Sequence, residues 1–250
     1  MNPPAYLARI GYTGPVAPTL PVLCAIHRCH MLAVPFENLD ISRGRAIVLE
    51  EPTLMRKIVE ERRGGFCYEM NGAFAALLRA LGFEVTLLSA RVFRQDGSLG
   101  PEFDHLTLRV DLERPWLADV GFGDSFIEPL RLQAGLEQED SGRTYRINEH
   151  AEWLQLERQE NGNAWNGMYR FTLQPHRLQD FAPMCHYHQT SPESSFTRKR
   201  LCTRATAAGR ITLSDMKLVI TRDGDKQEQM LSSEEEWRTA LRQYFGVALD

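Results

Sequence analysis

The spacing of apolar residues in this chain of 250 residues changes near residue 84. Before that point apolar side chains recur at helical intervals, over residues 20–32 and again after Thr53. Beyond it the period becomes two, which predicts strands over residues 85–93, 106–112, 116–122, 144–147, 153–156 and 168–173. Helices and strands that are separated along the chain are typical of the α+β class. We therefore expect an antiparallel sheet or barrel to follow a helical N-terminal region.

The last sixty residues form a third region, in which the sequence indicates both strands and a helix. Asp223 and Gly224 favour a tight turn that joins residues 218–221 to 229–231 as a hairpin. Ser233 and Glu236 have the spacing of a capping box, which predicts a closing helix. The chain shows no repeat and no low-complexity linker, so we expect the three regions to pack as one body.

Composition excludes several classes of function. The formal net charge of -4 gives no excess of positive charge that would favour binding to nucleic acid or to an anionic membrane. Neither a signal peptide nor a run of about 20 apolar residues is evident. The five cysteines are an odd number without the spacing of a disulfide framework, which favours a reducing cytoplasm and free thiols.

One of these cysteines stands where a reactive thiol is expected. Gly64 and Gly65 interrupt regular structure just before Cys67, and apolar residues then recur at helical spacing until Gly82. Cys67 should therefore lie at the N-terminus of a helix. Unpaired backbone donors and the positive end of the helix dipole favour a thiolate there.

A thiol nucleophile needs a base, and the base needs a group that orients it. His105 stands at the start of a predicted strand, and Asp119 lies within the apolar segment 116–122 that is predicted as the next strand. A buried aspartate is costly unless it has a partner. Neighbouring antiparallel strands can supply His105 as that partner, which suggests a Cys67, His105 and Asp119 site.

Several motifs together resemble the arylamine N-acetyltransferase family. They are Val34-Pro35-Phe36-Glu37-Asn38-Leu39, Arg63-Gly64-Gly65-Phe66-Cys67-Tyr68-Glu69-Met70-Asn71, His105, Asp119-Val120-Gly121-Phe122-Gly123 and Phe196-Thr197-Arg198-Lys199-Arg200-Leu201-Cys202-Thr203. They occur in family order and spread over most of the chain.

The resemblance implies an α+β fold with a cysteine-peptidase-like catalytic core. Its parts would be a helical domain over 1–83, an antiparallel β-barrel domain over 84–190 and an α/β lid over 191–250. It also implies a Cys67, His105 and Asp119 triad, with no metal and no permanently bound cofactor. Acetyl-coenzyme A would acylate the cysteine, and an arylamine, arylhydrazine or N-hydroxyarylamine would then accept the acetyl group.

The resemblance further assigns substrate-binding positions. Phe36, Phe122 and Phe196 match aromatic pocket residues, and Gly123 matches a glycine that contacts the coenzyme. Phe66 either lines the substrate pocket or belongs to the hydrophobic core. The charge run Arg198-Lys199-Arg200 is either a solvated surface or a contact for coenzyme phosphates, and Glu37 with Arg63 is interpreted as a buried structural pair.

Other interpretations remain open at this point. The same residue types serve other acyltransferases, amide synthases and transglutaminase-like cysteine hydrolases, and a degenerate binding protein could keep the fold. Two clusters of Cys and His, at 24–30 and 185–188, lack clean metal-ligand spacing, and we expect no metal there.

Overall fold

A computed structural model describes residues 1–160 and 162–249. Its α-helices are α1 (Pro3–Ile10), α2 (Leu20–Ala33), α3 (Leu39–Ser42), α4 (Glu51–Met55), α5 (Cys67–Ala80), α6 (Ala182–Thr190), α7 (Ser195–Arg198) and α8 (Glu234–Phe245). A π-helical turn, Arg56–Glu60, extends α4, and a 3-10 turn, Leu178–Phe181, precedes α6. The predicted helices over 20–32 and from Cys67 are confirmed.

The strands fall into two antiparallel sheets. They are β1 (Phe36–Glu37), β2 (Glu84–Val92), β3 (His105–Asp111), β4 (Pro115–Ala118), β5 (Leu130–Arg131), β6 (Gln138–Asp140), β7 (Arg143–His150), β8 (Trp153–Glu160), β9 (Asn166–Phe171), β10 (Leu201–Thr206), β11 (Gly209–Ser214), β12 (Lys217–Arg222) and β13 (Asp225–Met230).

Eight strands form the larger sheet, which curls into a nearly closed barrel. Its order is β5-β4-β3-β2-β9-β8-β7-β6, and a bridge joins Ala134, three residues after the edge strand β5, to Ile147 of β7 near the other edge. Tyr145, Leu156 and Phe171 are among its buried side chains. The α+β fold with a central antiparallel barrel is confirmed.

The smaller sheet has the order β1-β10-β11-β12-β13, and α8 packs on β10 and β11. The predicted hairpin is confirmed, with Asp223 and Gly224 as its two-residue turn. Both residues have positive φ, as a type I′ turn requires. The Ser233 hydroxyl accepts from the Glu236 N–H and caps α8 as predicted.

The prediction of a strand over 116–122 is wrong beyond Ala118. Strand β4 ends there, and Asp119 begins a loop. The N–H of Val120 donates to the Asn71 side chain and the N–H of Gly121 to the Asp119 carboxylate. Because these N–H groups donate to side chains and not to a neighbouring strand, the loop leaves the sheet and packs on α5.

The helical region and one side of the barrel share a core. Phe74 and Leu77 of α5 are buried in the same cluster as Leu106 and Leu108 of β3. Helix α5 therefore lies directly against the strand that begins with His105. None of the helices in the described part of the chain is long and apolar enough to cross a membrane.

Candidate active site

Cys67 is the first residue of α5, as the sequence predicts. Two glycines allow this placement, because a Cβ on Gly64 would overlap the carbonyl oxygen of Pro35. The Gly65 carbonyl accepts from the Glu37 N–H at 2.9 Å. The start of α5 is thereby fixed against β1, and the Phe66 N–H donates to the Glu69 carboxylate at 3.1 Å.

The thiol of Cys67 is buried, with 3% of the residue exposed. Burial raises the pKa of this thiol well above its usual range, and the charge of Asp104 adds to the increase, whereas a hydrogen bond from the Leu106 backbone lowers it. The favourable effect of the helix terminus is therefore outweighed by burial. A thiolate at this position needs a compensating cation.

His105 and Asp119 form a close pair. The distance from His105 Nε2 to Asp119 Oδ2 is 2.7 Å, and both side chains are buried. Burial alone would raise the pKa of Asp119, but His105, Asn71 and the Gly121 N–H outweigh it and lower the pKa. The carboxylate therefore stays ionised and can stabilise a protonated imidazole.

Two further side chains hold the Asp119 carboxylate. The Asn71 amide donates to Oδ1 at 2.9 Å and to the Leu106 carbonyl at 2.6 Å. The Tyr169 hydroxyl donates to Oδ2 at 3.0 Å, and burial raises its pKa so that it keeps its proton. With the bonds from His105 and Gly121, the carboxylate has four donors and no freedom to turn.

His27 of α2 also binds the loop that begins at Asp119. Its Nε2 accepts from the Asp119 N–H at 3.1 Å, and its Nδ1 donates to the Ile127 carbonyl at 2.7 Å. Burial lowers the pKa of His27 to about 4, so the ring is neutral at pH 7. This tautomer lets one ring bind both backbone groups.

A buried ion cluster lies beside the start of α5. Arg63 binds Glu37 at 2.7 Å and Asp40 at 3.1 Å, while Lys57 binds Asp40 at 2.8 Å and Glu69 at 2.7 Å. The interpretation of Glu37 and Arg63 as a structural pair agrees with these contacts. Because Glu69 also accepts from the Phe66 N–H, the cluster braces the turn that carries Cys67.

Cys67 and His105 line one cavity of about 820 Å³. Asp119 lies behind His105 and does not reach the cavity wall. The wall combines aromatic residues with polar ones: Phe36, Phe93, Phe122, Tyr187 and Phe196 with Arg94, Gln95, Asp96, Asp104, His188, Glu193, Ser194, Ser195 and Arg198. Such a cavity can hold an apolar ring next to the thiol and a polar chain toward its mouth.

Three of the predicted aromatic residues meet in this wall. Phe36 and Phe196 have ring centroids 6.2 Å apart, and Phe122 packs edge-on against the His105 ring at 5.2 Å. Phe66 is fully buried behind Phe196, so the core alternative holds for it. Gly123 directly follows the wall, with a φ of +87°.

The Cys and His residues of α2 are not among the residues that line the cavity. His30 contacts the Tyr6 hydroxyl at 3.0 Å, and Cys24 and Cys29 are half-buried on α2. Within residues 1–160 and 162–249, no group of three or more Cys, His, Asp or Glu side chains could hold a metal ion. Of the charge run, Arg198 lines the cavity, whereas Arg200 binds Glu234 at 2.8 Å.

Sequence reasoning assigned no role to Asn71, Tyr169 or His27. Asn71 follows Cys67 by four residues, so a helix places both side chains on one face, and that signal was available. Tyr169 and His27 are far from Asp119 in sequence, and only the packing of β9 and α2 against the loop brings them close.

Comparison with known proteins agrees with this arrangement. A family model described as N-acetyltransferase matches residues 19–250. The chain is 34% identical to the arylamine N-acetyltransferase of Escherichia coli K12 over 251 residues, which covers 98% of this chain and 88% of that protein. It is also 34% identical over 252 residues to an enzyme of Salmonella typhimurium described as arylamine N-acetyltransferase / N-hydroxyarylamine O-acetyltransferase, with 98% and 89% covered.

Solved structures show the same likeness. The arylamine N-acetyltransferase of Salmonella typhimurium superposes with a TM-score of 0.93 at 33% identity, covering 99% of this chain and 92% of that one. The enzyme of Mycobacterium marinum, solved in complex with CoA, gives 0.92 at 31% identity, covering 98% and 93%. The chain therefore belongs to the arylamine N-acetyltransferase family.

Proposed function

We propose that this protein transfers an acetyl group from acetyl-coenzyme A to the nitrogen of arylamines or arylhydrazines through an acetyl-Cys67 intermediate. The observation that carries the proposal is the His105 to Asp119 pair, 2.7 Å apart, whose histidine lines the same cavity as Cys67. Membership of the family supports the donor, since the Mycobacterium marinum relative has been solved with CoA.

The first half-reaction begins with transfer of the thiol proton to His105. Asp119 occupies Nε2 of the ring, which leaves Nδ1 to take that proton. The imidazolium supplies the cation that the buried thiolate needs. The thiolate sulfur then bonds to the acetyl carbon, the bond from that carbon to the coenzyme sulfur breaks, and the leaving thiolate takes the proton from His105.

Backbone donors at the start of α5 suit the oxyanion of this step. The N–H groups of Cys67 and Tyr68 belong to the first turn of the helix, where backbone donors have no intrahelical acceptor. Donors that are already aimed at a developing negative charge need no reorganisation during the reaction. Their position at the nucleophile makes them the natural oxyanion site.

In the second half-reaction the amine nitrogen bonds to the acetyl carbon and the Cys67 sulfur leaves. His105 takes the proton that the nitrogen loses, which regenerates the thiolate and imidazolium. Phe36, Phe122 and Phe196 offer flat surfaces on which an aromatic acceptor can stack. The name of the Salmonella typhimurium relative supports O-acetylation of N-hydroxyarylamines as a second activity.

For the coenzyme we propose contacts at Gly123 and at Arg198. Gly123 adjoins the wall residues Gly121 and Phe122, and a Cβ at this position would face the Phe36 ring at 3.5 Å. Arg198 is exposed on that wall, and it has no ion pair or hydrogen-bonded side-chain partner within the described residues. A free guanidinium is well suited to a phosphate oxygen.

Steady-state kinetics test this function. With acetyl-coenzyme A and 4-methoxyaniline varied together, we expect parallel double-reciprocal lines and formation of the N-acetyl product. Intersecting lines would contradict the acetyl-enzyme. Cleavage of a peptide amide, with no turnover of acetyl-coenzyme A, would instead identify a cysteine hydrolase.

A further inference from the structure

A second histidine and aspartate pair lies in the wall of the same cavity. His188 of α6 places Nε2 3.2 Å from Asp104 Oδ1, and the two side chains are 8% and 16% exposed. Both residues line the cavity together with Cys67 and His105. Neither residue belongs to the triad, and the acetyl transfer described above uses neither of them.

Contacts on several sides of the ring fix the position of His188. Its Nδ1 lies 3.1 Å from Ser194 Oγ, and that oxygen also accepts from the Phe196 N–H at 3.2 Å. The ring packs edge-on against Phe196 at 5.2 Å and lies near Tyr68 at 6.1 Å. Because these contacts restrict rotation of the ring, His188 stays beside Asp104.

Asp104 places its carboxylate in the wall of the cavity that Cys67 also lines. It directly precedes His105, and its charge is among the influences that raise the pKa of the Cys67 thiol. A negative charge near a thiol disfavours the thiolate. His188 Nε2, 3.2 Å from the carboxylate, is placed to offset part of that charge.

We propose that Asp104 and His188 form an electrostatic pair that sets the pH range in which Cys67 is reactive, a role that rests on Cys67 being the nucleophile. They are positioning residues, since they act through Cys67 and not on the substrate. Tyr68 of α5, Asp104, Asp119 and Cys185 act on the thiol, and Asp104 and Tyr187 contact His188. His105, Glu193 and Arg198 are further titratable or charged residues in the cavity wall that Cys67 and His188 share.

The pH profile of Cys67 alkylation tests the proposal. Iodoacetamide is uncharged, and mass spectrometry of the peptide that contains Cys67 separates its reaction from those of the other cysteines. We expect Asp104→Asn to lower the midpoint of the profile by about 0.5 to 1 pH unit, because a nearby negative charge is removed. His188→Leu should raise the midpoint by a similar amount, because the charge of Asp104 is then uncompensated.

The double variant distinguishes electrostatic coupling from independent effects. With Asp104→Asn present, His188→Leu should add almost no shift, since no carboxylate remains to be compensated. Independent and additive shifts, or a His188→Leu profile equal to that of the parent protein, would overturn the proposal. The matched controls are Asp111→Asn, at the far end of β3, and His186→Leu, exposed on α6, and both should leave the midpoint in place.

A stability measurement separates this role from a structural one. If the pair only held the fold together, His188→Gln and Asp104→Asn would lower the melting temperature and leave the midpoint unchanged, which would refute the proposal. Alkylation needs no acetyl-coenzyme A. Failure of the proposed acetyl transfer would appear as an absent acetyl adduct, and the midpoints would still report on the pair.

Discussion

The Cys67 thiol lies at the positive end of a helix, yet burial and the nearby carboxylates raise its pKa. The two effects oppose each other, and burial prevails because the residue is almost fully removed from water. The proposed thiolate therefore needs a compensating cation, and we propose His105 as its source because the ionised Asp119 lies 2.7 Å from the ring. Reactivity at this site belongs to the set of residues and to no single one.

His105→Gln tests this dependence. Without the imidazolium, burial should move the alkylation midpoint of Cys67 to higher pH than in the parent protein. In the parent protein we expect a lower midpoint, because an imidazolium at His105 would compensate the thiolate. The measurement is alkylation of the Cys67 peptide as a function of pH, and equal midpoints in the two proteins would refute the pairing.

Individual residues were predictable to different degrees. Cys67, His105 and Asp119 stand in recognisable local patterns, and the structure places all three at one site. Tyr169 and His27 reach Asp119 only through packing of elements that are distant in sequence. No local pattern encodes such contacts, so sequence reasoning could not find them.

At the scale of elements, buried ion pairs hold the turn before α5 in place. Lys57 lies in the π-helical turn and binds Asp40 and Glu69. Burial alone would lower the pKa of Lys57, but Glu69, Glu37 and Asp40 outweigh it and raise the pKa. The lysine therefore stays charged, and the carboxylates depend on it.

Lys57→Met should lower the free energy of unfolding by about 3 to 5 kcal/mol, because it leaves buried carboxylates without a partner. The control is Lys226→Met, which removes an exposed lysine that binds Glu228 on the edge strand β13 and should cost at most about 1 kcal/mol. Urea unfolding measures both values. Equal losses in the two variants would mean that the cluster does not brace the fold.

The elements themselves were only partly readable from the sequence. The hairpin over β12 and β13 was predictable because Asp223 and Gly224 suit its turn. Strands β10 and β11 were missed, and β10 pairs with β1, whose residues lie more than 160 positions earlier. Strand β4 was predicted too long because apolar residues continue past Ala118 into the loop that packs on α5.

At the scale of the whole molecule, buried histidines connect stability to pH. Burial lowers the pKa of His27 to about 4 and that of His30 well below its usual value. In the unfolded chain these rings take up a proton below about pH 6.5. The unfolded state therefore binds more protons between pH 6.5 and 4, and stability falls as the pH drops through this window.

We expect the free energy of unfolding to be about 2 kcal/mol lower at pH 5 than at pH 7 from His27 alone. Urea titrations at the two pH values measure the change. His150→Gln is the control, since that histidine is exposed and its loss should leave the difference intact. A free energy that stays constant from pH 7 to 5 would exclude neutral buried rings.

The division into units 1–83, 84–190 and 191–250 remains a proposal. The core that includes Phe74 also contains Leu106 and Ala205, so side chains from all three units share it. We therefore expect a single unfolding transition, with tryptophan fluorescence and helical circular dichroism changing at the same urea concentration. Two separated transitions would show that one unit unfolds independently.

The central claim is that Cys67 carries the acetyl group. Intact mass spectrometry after brief exposure to acetyl-coenzyme A tests it most directly, with Cys67→Ala alongside. The account predicts a single adduct of about 42 Da that is absent in the variant and is discharged by an aromatic amine. An adduct that persists in Cys67→Ala, or a parent protein that gains none while its thiol still reacts with iodoacetamide, would contradict the account.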